Sequence, residues 1–303
     1  MSFTEHLSDQ AIEYLNRSIE ERVYFIRSPR WVGYQAAIKT HAELEELIRR
    51  PPSLRMAGLM LVGPYANGKT MLIERFAIQH IRSNEATRAP QKVWIVQTRE
   101  GAGLAHFYGS IITAFRAPSA PIGIQAPASV ARRAEQVHRL LTHLEPRILI
   151  FDEFHNALRG RRQDVESIFA YLRRLGREYD ISSVLVGEVQ IYDYVNSTSE
   201  MASRIPLCSV PRWMFNEEYL QLLNSLESAL PLAEPSDISD EPLASRIFRL
   251  SEGLIGETVS ILGMAAIRAI RSGKERITPA LLDELSYILL TARRTAAVRD
   301  LLV

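Results

Sequence analysis

Residues Gly63-Pro64-Tyr65-Ala66-Asn67-Gly68-Lys69-Thr70 satisfy the pattern G-x-x-x-x-G-K-[ST]. The chemistry open to such a loop is capture of a nucleoside triphosphate. Backbone N–H groups of the loop, and of the helix that it opens, converge on phosphate oxygens with the helix dipole assisting. Gly63 and Gly68 permit backbone conformations and close approach that a Cβ would block. Lys69 supplies a point charge for the β- and γ-phosphates, and Thr70 a hydroxyl for Mg²⁺. The second half of such a site follows Arg147, where Ile148-Leu149-Ile150-Phe151-Asp152-Glu153 reads as an apolar strand ending in two carboxylates. This strand is expected to neighbour the loop and to set Asp152 beside the metal. Glu153 is then placed as the general base that polarises the attacking water. ATP and Mg²⁺ are the expected ligands, and hydrolysis the expected reaction.

The elements needed to position these groups are legible as alternation. Gly58 to Val62, Val93 to Val96, Ile148 to Phe151 and Val184 to Val186 are short unbroken apolar runs, and Ile205 to Val210 is a weaker fifth. Helical stretches start near Lys69, Leu104, Val130 and Asp164. Apolar strands alternating with helices imply a parallel sheet covered on both faces. The Ala/Pro-rich passage 117 to 127 reads as an exposed connection within this domain. Before the first strand, Ser8 starts a helix carrying Ile12, Leu15 and Ile19. A second helix opens on a Thr40/Glu43 capping box and ends at Pro51-Pro52. Beyond Trp213 only helices are expected, from about Asn216, Glu241, Gly256 and Thr278, with residues 231 to 242 as a loop. The reading is thus a helical N-terminal segment over 1–50, an α/β core over 51–215 and a helical lid over 216–303.

Bulk properties narrow the class. The 303 residues carry 36 Lys+Arg and 35 Asp+Glu, a net charge of +1. Any nucleic-acid surface must therefore be a local patch or be shared among subunits. No apolar run is long enough for a membrane span, and the N-terminus lacks the features of a secretory signal. The lone Cys208 rules out an intrachain disulfide, fits a reducing cytoplasm and reads as a small buried hydrophobe. The seven histidines show no metal-ligand spacing.

Asp152-Glu153-Phe154-His155 resembles the D-E-x-H box of helicases, but those enzymes use two tandem α/β cores and only one is read here. His155 reads as a polar residue following the strand, with a role near the γ-phosphate left open. One α/β core, a D-E strand end and a helical lid look like an AAA+ ATPase: a P-loop three-layer core around a five-stranded parallel sheet. Arg22-Val23-Tyr24-Phe25-Ile26, Pro29-Arg30, the helix ending at Pro51, Arg55, Asn67-Gly68-Lys69-Thr70, and the passage from Glu252-Gly253 to Ile277-Thr278 resemble the TniB/TnsC group of transposition ATPases, TniB most. The resemblance covers roughly residues 20 to 290.

That resemblance implies several roles. Arg204, in Ala202-Ser203-Arg204-Ile205-Pro206, falls where AAA+ proteins carry an arginine finger that reaches a neighbour's γ-phosphate. The sensor 1 position falls at Gly187-Glu188, so Glu188 stands where a neutral polar residue is usual. The sensor 2 position holds Glu257, so a cis arginine is absent there. Basic residues Arg99, Arg132-Arg133 and Arg159-Arg161-Arg162 lie on loops that tend to face the channel of AAA+ rings, where an oligomer could track DNA without reading its sequence. Arg293-Arg294 reads as solvated. The implied function is an ATP-dependent oligomer, ring or filament, that binds target DNA and recruits or activates a separate DDE transposase, with a TniQ-like adaptor as a further partner. Alternatives are a nucleotide-gated scaffold with little hydrolysis and an AAA+ loader for replication.

Overall fold

The computed structural model describes residues 5–53, 55–87, 90–101, 103–115, 129–197 and 199–301. The Ala/Pro-rich passage 117 to 127 lies outside the described residues. Two compact units are formed, one by Ala36–Pro211 and one by Met1–Gln35 together with Arg212–Val303.

The first unit holds strands β1 (Gly58–Val62), β2 (Val93–Gln97), β3 (Ile148–Asp152), β4 (Ser182–Gly187) and β5 (Leu207–Ser209). All pairings are parallel and the order is β2-β3-β4-β1-β5. Every residue of β1, β3 and β4 is buried. That explains why these strands read as continuous apolar runs: a sheet with helices on both faces has no wet side to alternate toward. The helices Lys69–Thr87, Leu104–Ala114, Val130–Leu144 and Arg162–Glu178 supply the layers. Phe107 stacks on Phe151 with centroids 5.0 Å apart, and Phe154 meets Phe169 edge-on at 5.7 Å. The side chains on either side of the two carboxylates are thereby locked into the core.

The order corrects one expectation. The strand bearing Asp152 does not neighbour the P-loop strand, because β4 lies between them. Hydrophobic runs specify that strands are buried, not which strand each one pairs with.

In the second unit the helices Asp9–Leu15 and Ile19–Arg27 pack with Glu217–Ser228, Leu243–Ser251, Ile255–Arg271 and Pro279–Glu284. Ile26 shares a core with Tyr219, Leu223, Ile247 and Ile261. The buried Arg22 anchors it, donating to Pro231 O through Nε at 3.1 Å and pairing with Glu275 at 2.5 Å. Ile26 and Arg22 thus join the helix Ile19–Arg27 to the core of the C-terminal helices. Ser8 caps the first helix as expected, but two other local readings differ. The run Ile12, Leu15, Ile19 is split, and the capping box belongs to Ser18 and Glu21 at the second piece. Thr40 lies inside Gln35–Arg49, where its hydroxyl donates to Ala36 O at 2.9 Å. A Thr hydroxyl can bond back to the preceding turn as readily as it can cap the next one.

Candidate nucleotide site

β1 ends at Val62, in register with Gly187 of β4, and the Gly63 N–H donates to Gly187 O at 3.2 Å. A Cβ at Gly63 would stand 2.3 Å from Val210 O, so no larger residue fits where the loop leaves the sheet. The loop then turns through two left-handed residues, Ala66 at φ 56° and Gly68 at φ 80°. Between them the buried Asn67 side chain donates to Val210 O at 2.8 Å and to Pro211 O at 2.7 Å, tying the loop to the chain leaving β5. Pro64 is half-buried and Tyr65 projects into solvent.

Lys69 is buried, and its ammonium donates to Gly63 O at 2.9 Å and Pro64 O at 2.7 Å. Burial pushes its pKa down, while the negative charges of Glu153, Glu188 and Asp152 push the other way. Thr70 Oγ1 donates to Asp152 Oδ2 at 2.9 Å, and Gln97 Nε2 donates to the same oxygen at 3.1 Å. The Glu153 N–H donates to Asp152 Oδ1 at 3.0 Å. Asp152 is therefore fixed at both oxygens at the floor of the site. Gln97, the last residue of β2 and in register with Asp152, is a contributor that sequence reasoning missed. Its signal was a lone polar residue ending an apolar strand. Glu153 takes a left-handed conformation, φ 51°, and opens the short helix Phe154–Arg159.

Lys69, Thr70, Asp152, Glu153 and Glu188 thus gather at the C-terminal edge of the sheet. The arrangement suits the expected ligands. The loop closes around its own lysine, and a hydroxyl paired with one fixed carboxylate is a donor set for a hard divalent cation that keeps waters and phosphate oxygens as its other ligands. Among the described residues, no group of three or more His, Cys, Asp or Glu could hold a metal without such help.

Arg204 is not in this gathering. It precedes β5, near the N-terminal end of that strand, where Ile205 abuts Gly58 at the start of β1. In a parallel sheet this is the edge opposite the P-loop. Its guanidinium lies 3.1 Å from Glu200, and its buried Nε has no hydrogen-bond partner among the described residues.

The basic residues divide. Arg99 Nη2 donates to Thr113 Oγ1 at 2.9 Å and Arg133 Nη1 to Ala105 O at 2.6 Å, so both are partly engaged by the helix Leu104–Ala114. Arg159 lies 3.8 Å from Glu100 and Arg162 2.8 Å from Glu166. Arg132 and Arg161 are exposed. In the helical unit, Glu257 is buried and accepts from both Tyr287 and Arg293. Arg293 is exposed, as expected, and is also the partner that neutralises this buried carboxylate. No helix among the described residues is long and apolar enough to cross a membrane.

A family model described as bacterial TniB protein matches residues 22–215. No curated protein matches the chain. Among solved structures, the ORC2 protein of Aeropyrum pernix in ADPNP-ADP complexes is 19% identical with a TM-score of 0.63, over 90% of this chain and 73% of that one. The ORC1 protein of the same organism in complex with DNA is 15% identical with a TM-score of 0.62, over 86% and 68%. Cdc6p of Pyrobaculum aerophilum is 17% identical with a TM-score of 0.58, over 84% and 68%. At these identities the likeness is one of fold, and that fold is an AAA+ α/β P-loop core.

Proposed function

The chain belongs to the TniB family, and from that premise we propose that it is an ATP-dependent regulator of DNA transposition that acts as a nucleotide-gated oligomer on target DNA. The observation that carries this reading is the convergence of Lys69, Thr70, Asp152 and Glu153, with Thr70 and Asp152 joined at 2.9 Å. In this reading residues 63–70 and Glu188 surround the phosphates, and Thr70 and Asp152 hold Mg²⁺. A bound Mg²⁺ would neutralise charge on the phosphate oxygens. Lys69 leaves its loop carbonyls for the phosphates, and Glu153 accepts a proton from the water it orients. Arg204, on the opposite sheet edge, reaches the site of a neighbouring subunit, which makes hydrolysis a property of the assembly. Arg132 and Arg161, with Arg99 and Arg133 beside them, meet the DNA backbone. No nuclease constellation is proposed, so DNA chemistry belongs to a partner, a DDE transposase recruited with or without a TniQ-like adaptor.

Sedimentation and DNA-binding titrations with ATP, ADP and no nucleotide test this. ATP should drive assembly and DNA binding together, since a ligand that binds the assembled state better favours it by linkage. A monomer indifferent to nucleotide would refute the proposal. The similarity to ORC and Cdc6 structures, one of them a complex with DNA, favours a replication loader as the second reading. Affinity capture from the host separates the two: a transposase supports the first, a replicative helicase the second. A scaffold with little hydrolysis draws support from Glu257, which is held by Arg293 where an arginine sensor is usual.

A further inference from the structure

His155 follows Glu153 on the short helix Phe154–Arg159, and the site as described gives it no work. Its Nε2 lies 3.3 Å from Glu153 Oε2, and its side chain is only 14% exposed. Its Nδ1 is buried and has no hydrogen-bond partner among the described residues. The ring is also confined from the sheet side. A Cβ at Gly187 would come 3.1 Å from His155 Nδ1, so the missing side chain at the end of β4 is the space beside which the imidazole sits.

These contacts select one protonation form. A neutral imidazole has one N–H, on either nitrogen. With the proton on Nδ1, a buried donor would go unsatisfied and a nitrogen lone pair would face a carboxylate, both unfavourable. An imidazolium would satisfy Glu153 but again bury an unpaired N–H. With the proton on Nε2, the donor meets Glu153 and only a weak acceptor is left unpaired. We infer that His155, as the Nε2–H tautomer, is the positioning residue for Glu153, holding Oε2 so that Oε1 is presented to the attacking water. The inference rests on the reading of Glu153 as general base.

Glu153 needs such a brace. Its backbone is left-handed, and among the described residues His155 is the one Lys, Arg or His side chain within 4.0 Å of its carboxylate. Without the imidazole, the carboxylate would sample several rotamers and lose the orientation that proton transfer requires. At 3.3 Å the two groups lie within ion-pair reach but are not aligned as a hydrogen bond, as catalytic contacts often are not before the substrate is bound.

Two measurements test the inference. In the first, long-range ¹⁵N spectra of the histidines are recorded on the full chain without nucleotide. His155 is assigned by the signal lost in His155→Gln. The Nε2–H pattern is expected, and an Nδ1–H or doubly protonated ring at neutral pH would overturn the inference. In the second, ATP turnover and nucleotide affinity are measured for three variants. His155→Ala should lower kcat about tenfold or more, part of the 10² to 10⁴ that a positioned base contributes, with affinity unchanged. His155→Gln, whose amide nitrogen reaches the place of Nε2, should restore most of the rate. His155→Asn, whose amide reaches only the place of Nδ1, should not. Wild-type turnover in His155→Ala, or equal rates in the Gln and Asn variants, would overturn the inference. Should His155→Ala fail to fold, the Gln/Asn comparison and the spectra still decide. Glu153→Gln run in parallel separates the two layers. If it turns over normally the general-base reading fails, whereas the spectra judge the His155–Glu153 contact on their own.

Discussion

The Thr70 hydroxyl donates to Asp152 Oδ2 over 2.9 Å, joining the first turn of the helix Lys69–Thr87 to the end of β3 across the intervening β4. The pair is the proposed seat of Mg²⁺, so its removal should act on the metal and spare the phosphate loop. In Thr70→Val, Asp152 keeps the Gln97 amide and the Glu153 N–H as donors, and the local fold should persist. ATP affinity measured in EDTA should equal that of the wild type. The strengthening that Mg²⁺ gives the wild type should be lost. Equal Mg²⁺ enhancement in both proteins would remove Thr70 from the metal site.

Lys69 and Glu153 should separate binding from turnover. Lys69→Ala removes the phosphate charge and is expected to abolish nucleotide binding. Glu153→Gln keeps size and hydrogen-bonding capacity while removing the base, so binding stays and hydrolysis falls by about 10² or more. Isothermal titration and a steady-state ATPase assay provide the comparison. Equal loss of affinity in the two variants would contradict these roles.

Local features of this protein were legible in the sequence, and long-range ones were not. The P-loop begins where the run Gly58–Val62 ends, and the helix starts at Lys69 and Leu104 fall where the pattern placed them. Both signals report how each segment meets its own surroundings, which composition and periodicity encode. Strand neighbours, by contrast, depend on crossovers, and nothing in an apolar run says that β4 separates β1 from β3. Arg293 is exposed as its sequence suggests, but its pairing with the buried Glu257 was not legible, because Glu257 lies on a different helix. Arg22, buried against Glu275, shows the same blindness: each charge alone reads as surface, and only the fold brings them together. Thr40 failed for another reason, since one local pattern served two local hydrogen bonds.

A pH dependence of stability should come from Asp180, at the sheet edge away from the phosphate loop. Arg50 pairs with it at 2.8 Å and Arg147 grips it as well. Burial alone would raise its pKa. The Arg147 hydrogen bond, the Ser53 N–H and the two arginine charges outweigh burial and hold it below the ordinary 3.8. A depressed folded pKa means that the unfolded chain binds the proton more readily. The stabilisation is therefore complete above the unfolded value, about pH 4, and is lost as pH falls through the folded one. Asp180→Asn should cost about 1–3 kcal/mol at neutral pH by leaving two partly buried guanidinium groups short of an acceptor. Urea unfolding at neutral pH and near pH 3 checks this. The gap between variant and wild type should narrow in acid, and a constant gap would show that Asp180 is not the titrating group.

Arg204 offers the sharpest test of the oligomeric mechanism, because the fold puts it on the sheet edge opposite the P-loop that it would serve. A single subunit bearing Arg204→Ala should bind ATP normally. Among the described residues its buried Nε has no acceptor, and its ion pair to Glu200 is a local i,i+4 contact, so the fold should survive. Turnover should collapse, since arginine fingers contribute roughly 10³ to 10⁵ in rate. Mixing then distinguishes action on a neighbour from action on the subunit's own site. Arg204→Ala has a sound P-loop and Lys69→Ala a sound arginine, so an interface between them can rebuild one complete site. Partial recovery of hydrolysis on mixing, absent from either variant alone, is the expected result. Sedimentation of the mixture confirms that hetero-oligomers form. If they do form and no activity returns, Arg204 is a structural residue, and the coupling of hydrolysis to assembly must come from another group.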